Sequence, residues 1–282
     1  MTNDAWREAS DAARSAGVEL RPLESLQDAD AILDVMIATW GAHQLIPREL
    51  IRALQESGNV PYGAFVDGGM VGYVMGFLGD DADGAHVHSH MLAVRPETRS
   101  GGIGRALKLA QRAQALDGGV SVVRWTYDPM LSRNAHFNFN KLGAHADRFH
   151  RNFYGEMEDQ LNRGDRSDRF VVRWDLDRPA AIERPPDGRS EVLTRTDDEP
   201  ARPHRVGDPR VDDGTVAALV QLPPDYAELR RRGPALAEEW RNACADAFED
   251  CFGAGMVAVA FDRASVAYVF AAGSHAPARG DA

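Results

Sequence analysis

The chain lacks several features that mark secreted, metal-binding and membrane proteins. Its 282 residues include only two cysteines, Cys244 and Cys251, which lie seven positions apart in a helical pattern, too far for a disulfide within one helix. No Cys/His cluster has the spacing of a zinc site, so we expect two reduced core cysteines and no bound metal. No run reaches the roughly 18 apolar residues of a membrane span. The first residues also lack the apolar stretch of a signal peptide, and we therefore expect a cytoplasmic protein with no membrane partner.

Positive charge is scarce as well. The formal net charge is −11 at pH 7, and no basic stripe offsets this acidic field, so we expect no nucleic-acid partner. Hydrophobic residues make up 44% and charged residues 27% of the chain, which is ordinary for a soluble globular protein. The length allows a sizeable core in one large or two smaller domains.

The order of apolar patterns predicts an α/β protein with a mixed sheet. It includes a helix over Ser132–Leu142 and a strand over His145–Tyr154. Residues 178–213 are rich in Pro, Asp, Arg and Glu and poor in apolar side chains, which indicates a linker or mobile loop. We therefore predict a first domain over 1–177 and an α+β C-terminal extension over 214–282 that packs on it.

Residues 86–109 carry most of the functional information. An apolar strand ends in Leu92-Ala93-Val94, Pro96 stops it, and an amphipathic helix follows Arg99-Ser100-Gly101-Gly102-Ile103-Gly104-Arg105. Glycines let the backbone approach an anion closely, and the start of a helix offers N–H groups and partial positive charge. The segment therefore predicts a pyrophosphate site. The alternative is a glycine-rich turn that only caps the helix.

Two known phosphate-binding loops are excluded by the residues present. A dinucleotide fingerprint needs G-x-G-x-x-G, whereas the glycines here read G-G-x-G. A nucleotide-triphosphate loop needs Gly-Lys before Ser or Thr, whereas Gly104 precedes Arg105 and Ala106. The pattern R-x-x-G-x-G, formed by Arg99, Gly102 and Gly104, instead resembles the coenzyme A loop of the GNAT acetyltransferase superfamily.

Further segments strengthen the resemblance over residues 18–155. Gly72 lies early in the second strand of a predicted hairpin, as in many members, and residues 132–143 resemble the segment N-x-x-A-x-x-x-Y-x-K-x-G with tighter spacing. The resemblance implies the GNAT-like fold, a mixed and mostly antiparallel central sheet flanked by helices. The string Trp125-Thr126-Tyr127-Asp128-Pro129, among others, resembles a bacterial GNAT-like subgroup with a C-terminal extension.

The resemblance also implies how the cofactor, acetyl-CoA or another acyl-CoA, is held. Backbone groups of Leu92, Ala93 and Val94 would hydrogen-bond the pantetheine arm as an added strand would. The N–H groups from Arg99 to Arg105 would hold the pyrophosphate, and Asn134 would reach the arm from the opposite wall. In the family the strand ending at Val94 and the next strand separate, which leaves a cleft for the thioester.

Candidates for the catalytic base lie on and near the same strand. His86, His88 and His90 alternate and so share one face of it, where imidazoles titrating near neutrality can relay protons. Of these we take His88 and His90 as candidate catalytic residues. The alternative is a half-exposed face with polar side chains. Asp128 follows the fifth strand and is a second candidate base or a binding residue for a cationic substrate, although Asp-Pro is also an ordinary turn signal.

The acid is less evident. The tyrosine that often protonates the thiolate in the family is replaced here by Phe139, which has no proton to donate. Tyr127 and Tyr154 are the substitutes that we predict.

These features predict an acyl-CoA-dependent N-acyltransferase, an acetyltransferase in the first instance, that acts on a small-molecule amine by direct transfer in a ternary complex. Two alternatives remain open. One is a coenzyme A-binding sensor or structural module without transfer activity. The other is a GNAT-fold enzyme with other thioester chemistry, decarboxylation or O-acylation. The oligomeric state is also open, with a homodimer as the base-rate expectation.

Overall fold

The computed structural model describes residues 2–42, 45–98, 101–159, 162–177, 189–209 and 217–272. The chain divides into two compact units. The first takes in Met1–Trp125, Met157–Gly164 and Asp175–Arg178. The second takes in Thr126–Glu156, Asp165–Trp174 and Pro179–Ala282.

The first unit combines four helices with a sheet of strand order β1-β2-β3-β4-β5. Neighbouring strands run antiparallel except β4 and β5, which are parallel. Its elements in chain order are α1 (Thr2–Ala16), β1 (Glu19–Pro22), α2 (Leu26–Trp40), α3 (Arg48–Glu56), β2 (Tyr62–Val66), β3 (Gly69–Asp81), β4 (Gly84–Val94), α4 (Ile103–Asp117) and β5 (Val122–Tyr127), with a 3₁₀ turn at Pro96–Thr98 after β4.

The sheet of the first unit is covered on both faces. One face carries Tyr73, Met75 and Ala93, which pack with buried residues of α2 and α3. The opposite face carries Val74 and Leu92, which pack against α4. Since side chains alternate along a strand, these clusters show which residues of β3 and β4 point to α4 and which to α2 and α3.

Local sequence signals explain where two of these helices begin. Ser25 caps α2 in a capping box, because its hydroxyl accepts the N–H of Asp28 and the Asp28 carboxylate accepts the N–H of Ser25. Gly102 precedes α4 in the left-handed region, with φ of 85° and ψ of 0°, a conformation that favours glycine.

The second unit contains a sheet of strand order β7-β6-β11-β12-β10-β8-β9, in which only β10 and β8 are parallel. Its elements are α5 (Ser132–Ala135), a π-helix (His136–Lys141), β6 (His145–His150), β7 (Arg169–Asp175), β8 (Arg189–Arg195), β9 (Pro203–Arg205), β10 (Ala217–Gln221), α6 (Tyr226–Arg232), α7 (Pro234–Gly253), β11 (Met256–Asp262) and β12 (Ala267–Ala272). Both cysteines are buried and free, on α7.

The predicted fold class is confirmed, since each unit has a largely antiparallel, open sheet flanked by helices. Some boundaries differ. The predicted helix over Ser132–Leu142 changes to a π-helix after Ala135, and the strand predicted to reach Tyr154 ends at His150, where the chain turns and Asn152 has φ of 50°. In the described chain, no helix is long and apolar enough to cross a bilayer.

The domain division stays a prediction. Strands β8 and β9 form inside the range 178–213 that was predicted as a linker or loop, whereas 178–188 and 210–216 lie outside the described residues. Strand β11 of the predicted extension pairs with β6, through Ala258 and Ala146, and therefore shares a sheet with residues of the predicted first domain.

Candidate functional site

The loop before α4 leaves room for an anion at a helix start. Gly101 and Gly102 are exposed, and a Cβ added at either would meet no atom closer than 3.8 Å. No side chain caps this helix, so the N–H groups of its first turn, from Ile103, Gly104 and Arg105, are the ones that an intrahelical carbonyl cannot reach. An open, positively polarised backbone fits a pyrophosphate. Arg99 and Ser100, predicted for the same loop, lie outside the described residues.

Helix α1 is bonded to α4 through side chains at both ends of α4. The Glu8 carboxylate pairs with Arg105 at 2.9 Å and with Arg112 at 3.2 Å, and the indole N–H of Trp6 donates to Asp117. Because the Arg105 guanidinium is bonded to Glu8, its backbone N–H is the group that Arg105 offers at the helix start. The use of backbone donors for the cofactor stays a prediction.

Strand β4 separates from β5 before its own end. Among the described residues, the register between them consists of two pairs, Val87 with Val123 and His88 with Arg124. Strand β4 continues to Val94, paired with β3 on its other side through Leu92, Ala93 and Val94. The predicted pantetheine edge therefore lies beyond the last β4–β5 pair.

A β-bulge in β4 lies between these two regions. Met75 pairs with Met91 but the next residue, Gly76, pairs with Ser89, so His90 is the extra residue of β4. Bulges change the direction of side chains and are common beside active sites. A Cβ at Gly76 would lie 2.5 Å from the carbonyl oxygen of His88, so the close approach of the strands requires glycine there.

The structure brings the two predicted histidines together around Phe77. The ring centroids of Phe77 and His88 lie 5.1 Å apart in a stacked arrangement, and His90 lies 6.0 Å from His88 and 6.1 Å from Phe77. Phe77 and His90 are exposed, whereas His88 is partly buried and the neighbouring His86 is buried. The Nδ1 atom of His86 lies 3.2 Å from the carbonyl oxygen of Gly84.

Both imidazoles are neutral at physiological pH. Burial, assisted by His90, His86 and Lys108, lowers the pKa of His88 to about 4. Although the His90 side chain is exposed, partial desolvation of its ring also lowers its pKa below the usual 6.5. A neutral imidazole accepts a proton, so the exposed His90 can act as a base toward a molecule bound over Phe77.

Lys108, which sequence reasoning missed, lies on the opposite face of the sheet. Its ammonium group is buried on α4, donates to Ser89 Oγ at 2.9 Å and to Gln111 Oε1 at 3.1 Å, and lies 3.9 Å from the ring centroid of Trp125. Burial lowers the pKa of Lys108 to about 7. The sequence signal for a buried lysine here was its position directly after the apolar Leu107.

Asp128, the second predicted base, belongs to a buried ion-pair cluster in the second unit. Arg241 donates to both of its carboxylate oxygens, at 2.7 and 2.9 Å, and also contacts Asp165 and the hydroxyl of Tyr226. The N–H of Met130 donates to the same carboxylate at 2.9 Å. With both oxygens bonded in the protein interior, the geometry favours a structural role for Asp128.

The two predicted tyrosines have different surroundings. Tyr127 is buried, and its hydroxyl lies 2.8 Å from that of Tyr268, which donates to the carbonyl of Pro129 at 2.7 Å; Tyr127 therefore donates to Tyr268. Burial raises the pKa of Tyr127 well above 10. Tyr154 is exposed, with its hydroxyl 3.0 Å from Thr126 Oγ1, and is the more accessible acid of the two.

The remaining predicted contacts lie on the segment after β5. Asn134 is exposed on α5, as a cofactor contact requires. Phe139 is buried on the π-helix, with its ring centroid 5.7 Å from that of Tyr268. In the part of the chain that the structure describes, no group of three or more His, Cys, Asp or Glu side chains is placed to hold a metal ion.

Comparison with known proteins agrees with the resemblance. The sequence model of the Acetyltransferase (GNAT) family matches residues 29–143. Among solved structures, the chain is similar to the ribosomal-protein-S18-alanine N-acetyltransferase from Escherichia coli, with 15% identity over 57% of this chain and 96% of that one and a TM-score of 0.47. It is also similar to Chaetomium thermophilum Naa20 in complex with a bisubstrate analogue, with 21% identity over 56% and 86% of the two chains and a TM-score of 0.46. No curated protein matches it.

Proposed function

Since the chain belongs to the acetyltransferase (GNAT) family through residues 29–143, we propose that it transfers an acyl group from acyl-CoA to the amine of a small molecule, with both substrates bound at once. The observation that carries the proposal is the bulge of β4. It presents an exposed, neutral His90 at the point where β4 has left β5, and the following residues of β4 lead to the open helix start.

The donor site is assigned to backbone groups. The N–H groups of Gly101, Gly102 and the first turn of α4 would hold the pyrophosphate, and the edge of β4 at Leu92–Val94 would hold the pantetheine arm. Arg99, Ser100 and Asn134 stay predicted contacts of the same cofactor. When bound, acyl-CoA supplies the activated acyl group, so the chain needs only to orient the acceptor and move protons.

The acceptor is assigned to the face of the sheet on which Phe77 of β3 lies beside His88 and His90 of β4. An amine is protonated in water and must lose a proton to become a nucleophile. His90 is placed to take that proton because it is exposed and its pKa lies below 6.5, and Phe77 offers an exposed ring to an apolar part of the acceptor. The acidic net charge draws cationic amines toward the protein.

Phe139 favours a second candidate, a coenzyme A-binding sensor or structural module without transfer activity. The residue is buried against Tyr268 and supplies no hydroxyl at the position that the family uses for its acid. A third candidate keeps the donor but changes the chemistry to decarboxylation or O-acylation. Turnover that needs an amine supports the first candidate, binding without turnover the second, and turnover without an amine the third.

Donor binding is tested by calorimetric titration with acetyl-CoA, CoA and longer or acidic acyl-CoAs. Gly102→Glu is expected to abolish binding in a folded protein, because it places a carboxylate in the anion site. Gly119→Glu is the matched control, since Gly119 also has positive φ and open space but lies at the other end of α4. Equal affinity in both variants would contradict the assigned loop.

Transfer is tested by screening amines with the preferred donor. His90→Gln is expected to lower kcat by about 100-fold or more, the range of a lost general base, with little change in donor affinity. In the wild type, the acidic fall of kcat/KM should lie at a lower pH than for an ordinary histidine, because burial lowers the pKa of His90 and delays its protonation. If His90→Gln has the kcat of the wild type, His90 is not the base.

A further inference from the structure

Lys108 is a buried cation that the fold does not need. In the described part of the chain, no carboxylate lies within ion-pair distance of its Nζ atom, and the three groups around it are the Ser89 hydroxyl, the Gln111 amide oxygen and the Trp125 ring. A buried charge without a counter-ion is costly, whereas an apolar side chain of similar size would pack there without that cost. The position therefore calls for a functional reason.

The partner of Lys108 lies at a point where chemistry is expected. Ser89 lies between His88 and the bulge residue His90. His88 and Arg124 form the last described pair between β4 and β5. The side chain of Ser89 points to α4, because it meets Lys108 there, whereas His88 and Phe77 lie on the other face. A possible proton donor and the proposed base therefore flank the bulge from opposite faces of one sheet.

If the chain has the proposed function, on which the next step rests, the departing sulfur needs an acid that has not yet been assigned. Phe139 has no acidic proton, the hydroxyl proton of Tyr127 is bonded to Tyr268, and the exposed hydroxyl of Tyr154 lies 3.0 Å from Thr126 Oγ1. We propose that Ser89 is the proton donor to the sulfur of coenzyme A and that Lys108, a positioning residue acting through Ser89, replaces that proton.

The proton and electron balance closes without any further reactant. After His90 has passed the first proton of the protonated acceptor to solvent, the acceptor nitrogen forms a bond to the acyl carbon and gives a second proton to His90, while the carbon–sulfur bond breaks and its electron pair stays on sulfur. Ser89 donates its O–H proton to that sulfur and receives one from the Lys108 ammonium group. Solvent then takes the proton from His90 and returns one to Lys108.

The charge state of Lys108 sets the pH range in which this relay works. Its pKa of about 7 means that the ammonium form is lost as the pH rises above neutrality. The groups that face it are Ser89 on β4, Trp125 on β5 and Gln111 on its own helix, and across the sheet lies His88, whose pKa is about 4. His88 is neutral throughout the range, so an alkaline loss of activity near pH 7 would report Lys108 itself.

The chain is well suited to a direct test, because Lys108 and Lys141 are its only lysines. Protein labelled with 13C-lysine gives two side-chain signals in NMR, and Lys108→Met assigns one of them. We expect the Lys108 signal to titrate near pH 7 and its midpoint to rise when CoA is added, since a nearby sulfur with anionic character stabilises the ammonium form. In Ser89→Ala, CoA should bind but leave the midpoint unchanged.

Single-turnover acyl transfer gives the second readout. Ser89→Ala and Lys108→Met should each lower the rate by about 100-fold and abolish the fall of the rate at alkaline pH, called the alkaline limb. The affinity of each variant for CoA should stay within threefold of wild type. Ser89→Thr keeps a hydroxyl and should restore the rate and the limb, and Lys141→Met is the control for loss of a lysine. A folded Ser89→Ala protein that binds CoA and keeps the wild-type rate and limb would overturn the relay. Absence of CoA binding to wild type would instead overturn the proposed function.

Discussion

Replacing Arg241 by methionine is expected to lower the free energy of unfolding by about 3–5 kcal/mol, the usual cost of leaving a buried charge without its partner. Arg241 is only 2% exposed, and its two Nη atoms donate to the two oxygens of Asp128 at 2.7 and 2.9 Å. The variant leaves Asp165 with Tyr226 as a donor, but it removes the guanidinium that neutralises Asp128. Most of the loss should therefore arise at Asp128.

The measurement is urea unfolding followed by circular dichroism, compared with an exposed ion pair in the same unit. Arg202 and Glu239 lie 2.9 Å apart with both side chains largely in solvent, so Arg202→Met should change the free energy of unfolding by less than about 1 kcal/mol. Both substitutions remove one arginine, but Arg241 loses buried pairs with Asp128 and Asp165 whereas Arg202 loses an exposed pair with Glu239, so the comparison contrasts buried with exposed pairing.

A double variant tests the assigned cause. Asp128→Asn combined with Arg241→Met keeps an oxygen that can accept the N–H of Met130 but removes the carboxylate charge, and it should recover at least half of the lost stability. If Arg241→Met is as mild as Arg202→Met, Asp128 does not depend on this pair. The structural interpretation of Asp128 would then fail, and its role as a catalytic base would again need testing.

Three further predictions concern stability and the acid. Hydrogen bonds to the Asp28 carboxylate outweigh its burial and hold its pKa at about 2. Asp28 therefore stabilises the fold above pH 4 by on the order of 2 kcal/mol, and this contribution is lost as the pH falls from about 4 to 2. Asp28→Asn should abolish that part of the acid dependence when unfolding is measured as a function of pH. Gly76→Ala should lower the free energy of unfolding by about 1–3 kcal/mol and slow transfer, because its Cβ would lie 2.5 Å from a carbonyl oxygen. A Cβ at Gly69 would lie 3.5 Å from its nearest atom, so Gly69→Ala should change the free energy of unfolding little in the same denaturation assay. Tyr127→Phe should lower the free energy of unfolding by about 1 kcal/mol and leave the transfer rate within threefold of wild type. Tyr154→Phe should also leave the transfer rate within threefold. A tenfold lower rate in Tyr154→Phe would identify Tyr154, and not the proposed relay, as the acid.

Features set by neighbouring residues could be predicted from the sequence. The strand, the proline, the glycines and the amphipathic pattern after them are adjacent, and the structure indeed begins α4 at Ile103 after a left-handed Gly102. Features set by distant partners could not. Asp128 reads as a turn residue beside its proline, and only the fold reveals Arg241, far along the chain, bonded to both of its oxygens. The bulge at His90 likewise depends on the register with β3.

Lys108 illustrates the same limit within a single helix. An amphipathic pattern assumes one buried face, so a lysine beside the apolar Leu107 is expected to turn its charge to solvent. Helix α4 has no such solvent face at that point, because every residue from Ala106 to Gln111 is buried. The lysine is then left among a hydroxyl, an amide and an indole, where its proton is held weakly enough to exchange near neutral pH. A cation that costs stability beside the point where β4 separates from β5 is therefore better explained by proton transfer than by packing.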